Sequence, residues 1–244
     1  MECILLAAGY ATRLYPLTEN MPKALLKLGD KTILDFVAEA VETIDEVNTI
    51  YIVTNHRFYV QFCEWAEKYK GNKPVKVIND FTTSNDNRLG AIGDMKYVID
   101  KENIDDEILV MASDNIFEFP LTDFVNMYRE KGADMICAHV LEDKEQLHSQ
   151  GVVELDGNDR VIGFEEKPEH PKSDMGVPPF YLYRKETLDL IDAYLKEGNN
   201  PDAPGNFVPW LKDRVPVYAY RFDTMCIDIG TPENYYEMQE KYKK

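Results

Sequence analysis

The chain has 244 residues, 44% of them hydrophobic, enough for one large core or two small ones, which points to a globular unit. Its 27 basic and 44 acidic residues give a formal charge of -17, so nucleic-acid backbones and anionic membranes are repelled by the molecule as a whole. General affinity for either partner is excluded, and any positive charge that matters must be local. Residues 1–31 hold Arg13, Lys23, Lys27 and Lys31 against Glu2, Glu19 and Asp30, a net +1, while the rest carries -18; the contrast marks an anionic ligand near the N-terminus. Cys3, Cys63, Cys137 and Cys226 contain no CxxC pair, and no stretch has the pattern of a secretory leader or the length of a membrane span. Reduced, mostly buried thiols and a cytoplasmic setting are the expectation.

In chain order, short runs rich in Val and Ile ("ECILLAA", "NTIYIVT", "VKVIN", "EILVMAS") alternate with longer segments of helical period. This is the βαβ pattern of a largely parallel sheet. Ile33, Phe36, Val37, Ala40, Val41 and Ile44 line one helical face, and Phe58, Tyr59, Phe62, Trp65, Ala66 and Tyr69 the next; both stripes read as core. The acidic stretch "DKENIDDE" at 100–107 reads as a solvated loop. After about residue 133 the strands come closer together: "ADMICAHVL", then "GVVELDG" and "RVIGFEEKP" joined by a hairpin-like "DGND" turn. "VPVYAYRF" and "MCIDIG" follow, with a terminal helix from about Pro232. Without linker, repeat or low-complexity tract, the expectation is a single α/β domain over 1–244. Its fold would be Rossmann-like, a mixed, mainly parallel sheet flanked by helices, with a parallel half over about 1–132 and a smaller antiparallel lobe with the terminal helix over about 133–244.

The loop "GYATR" after the first strand lacks the three glycines of the dinucleotide fingerprint, and "LGDKT" at 28–32 lacks the order of a P-loop. What remains is a glycine turn whose backbone N–H groups could face an anion beside Thr12, Arg13 and Lys23. Those residues alone equally fit a surface turn with solvated cations. Asp114 ends an apolar strand where a carboxylate would stand at the carboxyl edge of the sheet, although a helix cap would use it too. Asp228 has an equally apolar setting, and two carboxylates from separate strands could share a hard cation. Glu166 and Lys167 alone fit a solvated ion pair. His56, His139, His148 and His170 show no metal spacing.

The stretch "LAAGYATRLYPLTENMPKALL" resembles the signature of the sugar nucleotidyltransferases, close to the short glucose-1-phosphate thymidylyltransferase type. "LVMASDNIF" at 109–117, "GVVELDGNDRVIGFEEKP" at 151–168 and "IDIGTPENY" at 227–235 resemble the family's later blocks, so the likeness covers nearly the whole chain. The resemblance implies Mg²⁺-dependent transfer of a nucleotidyl group from a nucleoside triphosphate to a phosphorylated small molecule, a sugar 1-phosphate, with release of pyrophosphate. It implies that Leu6, Ala8, Gly9, Ala11, Thr12, Arg13 and Lys23 hold the nucleotide, with Asn85, Asn87 and Gly90 as candidates at the base. Asp114 and Asp228 would hold the metal. Lys167 would bind the acceptor phosphate, Glu166 a sugar hydroxyl, and Gly151 and Pro179 would line the sugar; Arg13, Lys23 and Lys167 form the catalytic set.

Three places depart from the family pattern. Ala11 stands where a second glycine is usual and is costly if its φ is positive, "NDNRLGAIGD" at 85–94 lacks the thymidylyl pattern, and Pro179 replaces a frequent glycine. Base and acceptor therefore stay open, with a cytidylyltransferase acting on a phosphate such as phosphocholine as the rival. A noncatalytic sensor on the same fold would not need both metal carboxylates, and a related glycosyltransferase would show Asp-x-Asp where this chain has "SDN". The residues after "GTPENY" leave no room for a left-handed β-helix, so acetyl transfer is not expected. Neither nucleic acid nor membrane is an expected partner, and a homo-oligomer is left open.

Overall fold

The computed structural model describes residues 1–243. Its strands and helices alternate through the first half as the spacing predicts. Strand β1 (Glu2–Leu6) is followed by the short pair β2 (Lys27–Leu28) and β3 (Lys31–Thr32), then α1 (Ile33–Glu42), β4 (Ile50–Thr54), α2 (Tyr59–Lys68), β5 (Val75–Asn79), α3 (Ala91–Glu102) and β6 (Ile108–Ala112). Next come β7 (Asn115–Phe117), α4 (Leu121–Lys131), β8 (Asp134–Val140), β9 (Gly151–Leu155), β10 (Val161–Glu166), β11 (Met175–Val177) and β12 (Phe180–Tyr183). The chain finishes with α5 (Leu188–Lys196), α6 (Phe207–Lys212), β13 (Val217–Arg221), β14 (Cys226–Asp228) and α7 (Pro232–Lys241).

One twisted sheet runs through both halves in the order β10-β9-β11-β8-β12-β6-β1-β4-β5, with β13 added parallel to β8. The β6-β1-β4-β5 portion is parallel, and such strands need cover on both faces, which accounts for their unbroken Val/Ile/Leu runs. Leu5, Ile50 and Ile52 face the α1, α2 and α4 layer, while Ile4, Val53 and Val110 face α3, α5 and α6. Two apolar layers on one sheet make the core.

The expected smaller antiparallel lobe is the β9–β10 hairpin, continuous with the sheet through β11. At Pro178–Pro179 the ladder divides. Val177 still pairs with Gly151 of β9, whereas Phe180 pairs with Met111 of β6. Proline has no N–H to give a ladder, so two in a row end one set of pairings and let the next begin on a different partner. The division opens a gap between the parallel strands and the hairpin.

Helix α1 starts on a reciprocal capping box, in which Thr32 accepts from Asp35 N and the Asp35 carboxylate accepts from Thr32 N. Its buried face is Ile33, Leu34, Val37, Ala38 and Val41; Phe36 turns toward α7, edge-on to Tyr242 at 4.8 Å. The acidic stretch at 100–107 is less solvated than its charge suggests. It closes α3, and Asp106 accepts from the N-terminal amine at 2.6 Å while Glu107 pairs with Arg129 at 2.7 Å. All four cysteines are free, Cys3 and Cys137 buried and Cys63 and Cys226 half-buried. Among the described residues, no helix is long and apolar enough to cross a membrane.

Candidate active site

A cleft of about 960 Å³ lies over the carboxyl ends of β1 and β6 and opens into the gap beside Pro178–Pro179. In open parallel sheets this is where ligands bind. A smaller hollow of about 220 Å³ sits behind it, between the Gly9–Arg13 loop and Lys23.

The loop after β1 leaves the strand at Leu6, whose carbonyl is held by the Ser113 hydroxyl at 2.8 Å. Leu6, Ala8, Gly9 and Arg13 line the cleft. Ala11 takes the left-handed conformation, φ 46° and ψ 43°, and its carbonyl accepts from the buried Thr18 hydroxyl at 2.7 Å. That conformation costs an alanine about 1 kcal/mol more than a glycine. Ala11 reaches only the smaller hollow, and Thr12 lines neither cavity.

Lys23 enters from the short helical turn that follows Pro22, its side chain only 14% exposed. Its ammonium lies 2.6 Å from Asp114 Oδ2 and 3.0 Å from Asp228 Oδ1. Burial alone would lower the Lys23 pKa, but the two carboxylates outweigh it and raise it, so the group stays charged. The carboxylates meet because β14 pairs with β7, setting Asp228 opposite Asn115, the residue after Asp114. Asn115 donates to Asp114 Oδ1 at 2.9 Å, and Asn234 donates to the Asp228 carbonyl at 2.9 Å. Three segments far apart in sequence thus converge on one point.

The far wall of the cleft is built by the hairpin. Lys167 follows β10 with φ 48°, a left-handed backbone that is unusual before a proline, and its N–H is held by the Gln150 carbonyl at 3.1 Å. Glu166 has no ion pair among the described residues. Burial raises its pKa, with Lys167 opposing. Its carboxylate fits between Gly151 and Gly205, where a Cβ at either position would press on Oε2. Pro179, Tyr181 and His139 complete this wall. His139 stacks on Phe222 at 4.7 Å, and burial lowers its pKa.

On the base-candidate side, Asn85 and Gly90 line the cleft but Asn87 does not. The Asn87 side chain is spent on its own loop, accepting from Thr83 N and Ser84 N and donating to the Thr83 hydroxyl. Three residues that the sequence did not single out stand here instead: Arg88, Asp94 and Asp202. Arg88 makes a two-pronged pair with Asp202, Nε to Oδ1 at 3.2 Å and Nη2 to Oδ2 at 2.8 Å. The segment around Asp202 also caps α3, with Ala91 N donating to Asp202 O and Ile92 N to Pro201 O. Gly90 permits this contact through φ 80°, and a Cβ there would lie 2.6 Å from Pro201 O. Arg88 was legible only as a scarce cation two residues from Gly90; the 114-residue separation from Asp202 hid the pair.

Chemically, the cleft sets Arg13, Lys23 and Arg88 on one side and Glu166 with Lys167 on the other. It can neutralise a polyanion at one end and bond hydroxyls at the other. Among the described residues no group of three or more His, Cys, Asp or Glu could hold a metal, so Asp114 and Asp228 stand as a pair.

Known proteins share this arrangement of chain. A UTP–glucose-1-phosphate uridylyltransferase of Synechocystis is 29% identical over 97% of this chain and 62% of its own length. A bifunctional protein GlmU of Methanocaldococcus jannaschii is 33% identical over 95% of this chain and 52% of its own. The chain therefore spans about half to three fifths of these relatives. A UDP-glucose pyrophosphorylase solved with UDP-glucose superposes with a TM-score of 0.83 at 18% identity, over 99% of this chain and 97% of that one, which is a likeness of fold. The family model described as nucleotidyl transferase matches residues 2–244, from the first strand through the Lys23–Asp114–Asp228 cluster to the last helix, and the chain belongs to that family.

Proposed function

We propose that the protein transfers a nucleotidyl group from a nucleoside triphosphate to a sugar 1-phosphate, releasing pyrophosphate. The observation that carries this reading is the meeting of Lys23, Asp114 and Asp228 at the mouth of a cleft whose loop supplies Arg13. The relatives' names, which include a glucose-1-phosphate uridylyltransferase, favour a sugar phosphate as acceptor.

Two anions must meet, so positioning and charge neutralisation are the work of the site. Gly9 to Arg13 and Lys23 would hold the triphosphate, and Arg13 would face the charge that grows on the leaving pyrophosphate. Lys167 would orient the acceptor phosphate, with Glu166 and Gly151 against the sugar ring. One acceptor phosphate oxygen attacks the α-phosphorus in line as the bond to the β-phosphate oxygen breaks. No Ser or Cys is needed as an intermediate carrier.

The donor set suits Mg²⁺. Asp114 and Asp228 already converge within bonding distance of one cation, the Lys23 ammonium, and Mg²⁺ commonly takes one or two carboxylates plus substrate phosphates. When bound it would neutralise phosphate charge and polarise the phosphoryl oxygens. A triphosphate donor and four free thiols fit a cytoplasmic setting.

The test is pyrophosphate release with Mg²⁺, crossing the common nucleoside triphosphates with a panel of sugar 1-phosphates and phosphocholine. At least one sugar 1-phosphate is expected to turn over, and Asp228→Asn, which changes charge at constant volume, to reduce that turnover at least a hundredfold in a folded protein. Turnover with phosphocholine alone would transfer the assignment to the rival acceptor class.

A further inference from the structure

Two acids are buried side by side beneath the base-candidate wall. Asp94, in the first turn of α3, is 5% exposed, and Asp80, just beyond β5, is 6% exposed. Their carboxyls lie within hydrogen-bonding reach of each other. Two like charges in a buried site cannot both persist, so the pair keeps one proton. The surroundings decide where it resides. Asp80 accepts from Thr82 N at 2.7 Å and from the Thr82 hydroxyl at 2.8 Å, bonds that favour its anion. Asp94 has no comparable donor, and burial, followed by the Asp80 charge, pushes its carboxyl up to about 8.

The pair also joins distant parts of the cleft. Thr82 is 4% exposed, and beside it lies the hydroxyl of Tyr10, the residue after Gly9. A single buried polar chain thus runs from α3 through Asp94, Asp80 and Thr82 to the loop that carries Arg13. Asp94 lines the cleft itself.

We propose that Asp94 and Asp80, sharing one proton, are positioning residues for the nucleotide: they fix the first turn of α3 against the Tyr10–Arg13 loop, setting the spacing between base wall and phosphate loop. This rests on the reading of that half as a nucleotide site. Removing the shared proton puts two repelling anions between α3 and the loop and drives the wall and the loop apart. Other groups facing the chain keep their charge or are removed by the control. The Tyr10 hydroxyl is raised above its ordinary range, chiefly by burial, and stays neutral; Arg57 lies beside Tyr10; the His56 ring is bonded to Asn79. Arg88 and Asp202 pair with each other at the rim.

The experiment is calorimetric titration of the full chain with UTP, GTP, CTP, ATP and dTTP, in turn, without acceptor, at pH 7 and pH 9. For the tightest of these, affinity should fall about tenfold between the two pH values, following the loss of the proton from a group near 8. Asp94→Asn, which mimics the protonated acid at equal size, should keep the pH 7 affinity within about twofold and abolish most of the fall. Its profile also subtracts titration of the nucleotide itself. Wild-type affinity that is flat from pH 7 to 9, or an equally steep fall in Asp94→Asn, overturns the proposal. A cooperative thermal melt of the wild type at pH 9 separates lost affinity from unfolding. If none of the five nucleotides binds at pH 7, the nucleotide reading fails and takes the proposal with it, an outcome distinct from binding without pH dependence.

Discussion

At the scale of single residues, the site is marked by side chains and backbones held at a cost. Ala11 occupies left-handed space with a methyl group that such space disfavours, and Lys167 does the same before a proline. Ala11→Gly is expected to stabilise the fold by up to about 1 kcal/mol, read as a higher urea midpoint at unchanged slope. No gain would show that Thr18 and the loop, not the methyl group, dictate the conformation. Asp94 has a cost of a different kind. An unfolded aspartate ionises near pH 4, roughly, whereas in the fold the proton leaves only at about 8. The folded chain therefore keeps a proton through a window in which the unfolded chain has released it. The pair's stability contribution is complete below that lower pH, declines as pH rises and is lost by about 8. Asp94→Asn needs no proton, so it should melt above the wild type at pH 8, with the gap shrinking toward pH 5. Equal melting temperatures at pH 8 would show that the acid is not raised.

At the scale of elements, the short segment between α5 and α6 has more influence than its length suggests. Asp202 and Pro201 hold the start of α3, Gly205 lies against Glu166, and the Tyr194 hydroxyl donates to Asn200 O at 2.7 Å. One strap therefore touches both the base-candidate wall and the hairpin wall. Gly90→Ala should cost roughly 1–3 kcal/mol, because it combines a positive φ with a collision against Pro201 O. Gly132 also has a positive φ, 57°, but its Cβ would meet open space, so Gly132→Ala measures the conformational part alone. The two losses, compared by denaturant unfolding, should differ; if they match, the strap yields freely and does not brace α3.

At the scale of the whole molecule, most of the sheet was legible because buried parallel strands write themselves as apolar runs, as "IYIVT" and "ILVMA" do. The β9–β10 hairpin was legible from its turn. The candidate cluster was legible only through family resemblance, since nothing in the local chemistry of Asp114 requires Asp228; the β7–β14 pairing that joins them is non-local. Asn87 was a candidate base contact because it falls in the segment that resembles the family's base-binding region, yet its loop uses both ends of the amide. Asp94 went unread for the opposite reason. An acid in the first turn of a helix ordinarily faces solvent and the helix dipole, and only the neighbouring end of β5 makes it an interior group. The smaller lobe foreseen after residue 133 is a hairpin that shares the main sheet with the parallel strands.

The paired prolines at 178–179 make one continuous run of chain change its neighbour on one side, β9 before them and β6 after, while β8 runs along the other side of both. The β9–β10 hairpin is thereby joined to the sheet through β11, and it is steadied from the other side by the Arg160–Tyr218 bridge to β13. Substitutions between residues 151 and 177 can therefore reshape the hairpin side of the cleft while the β6-β1-β4-β5 strands keep their pairings, so one half of the hollow is free to change its lining without the other.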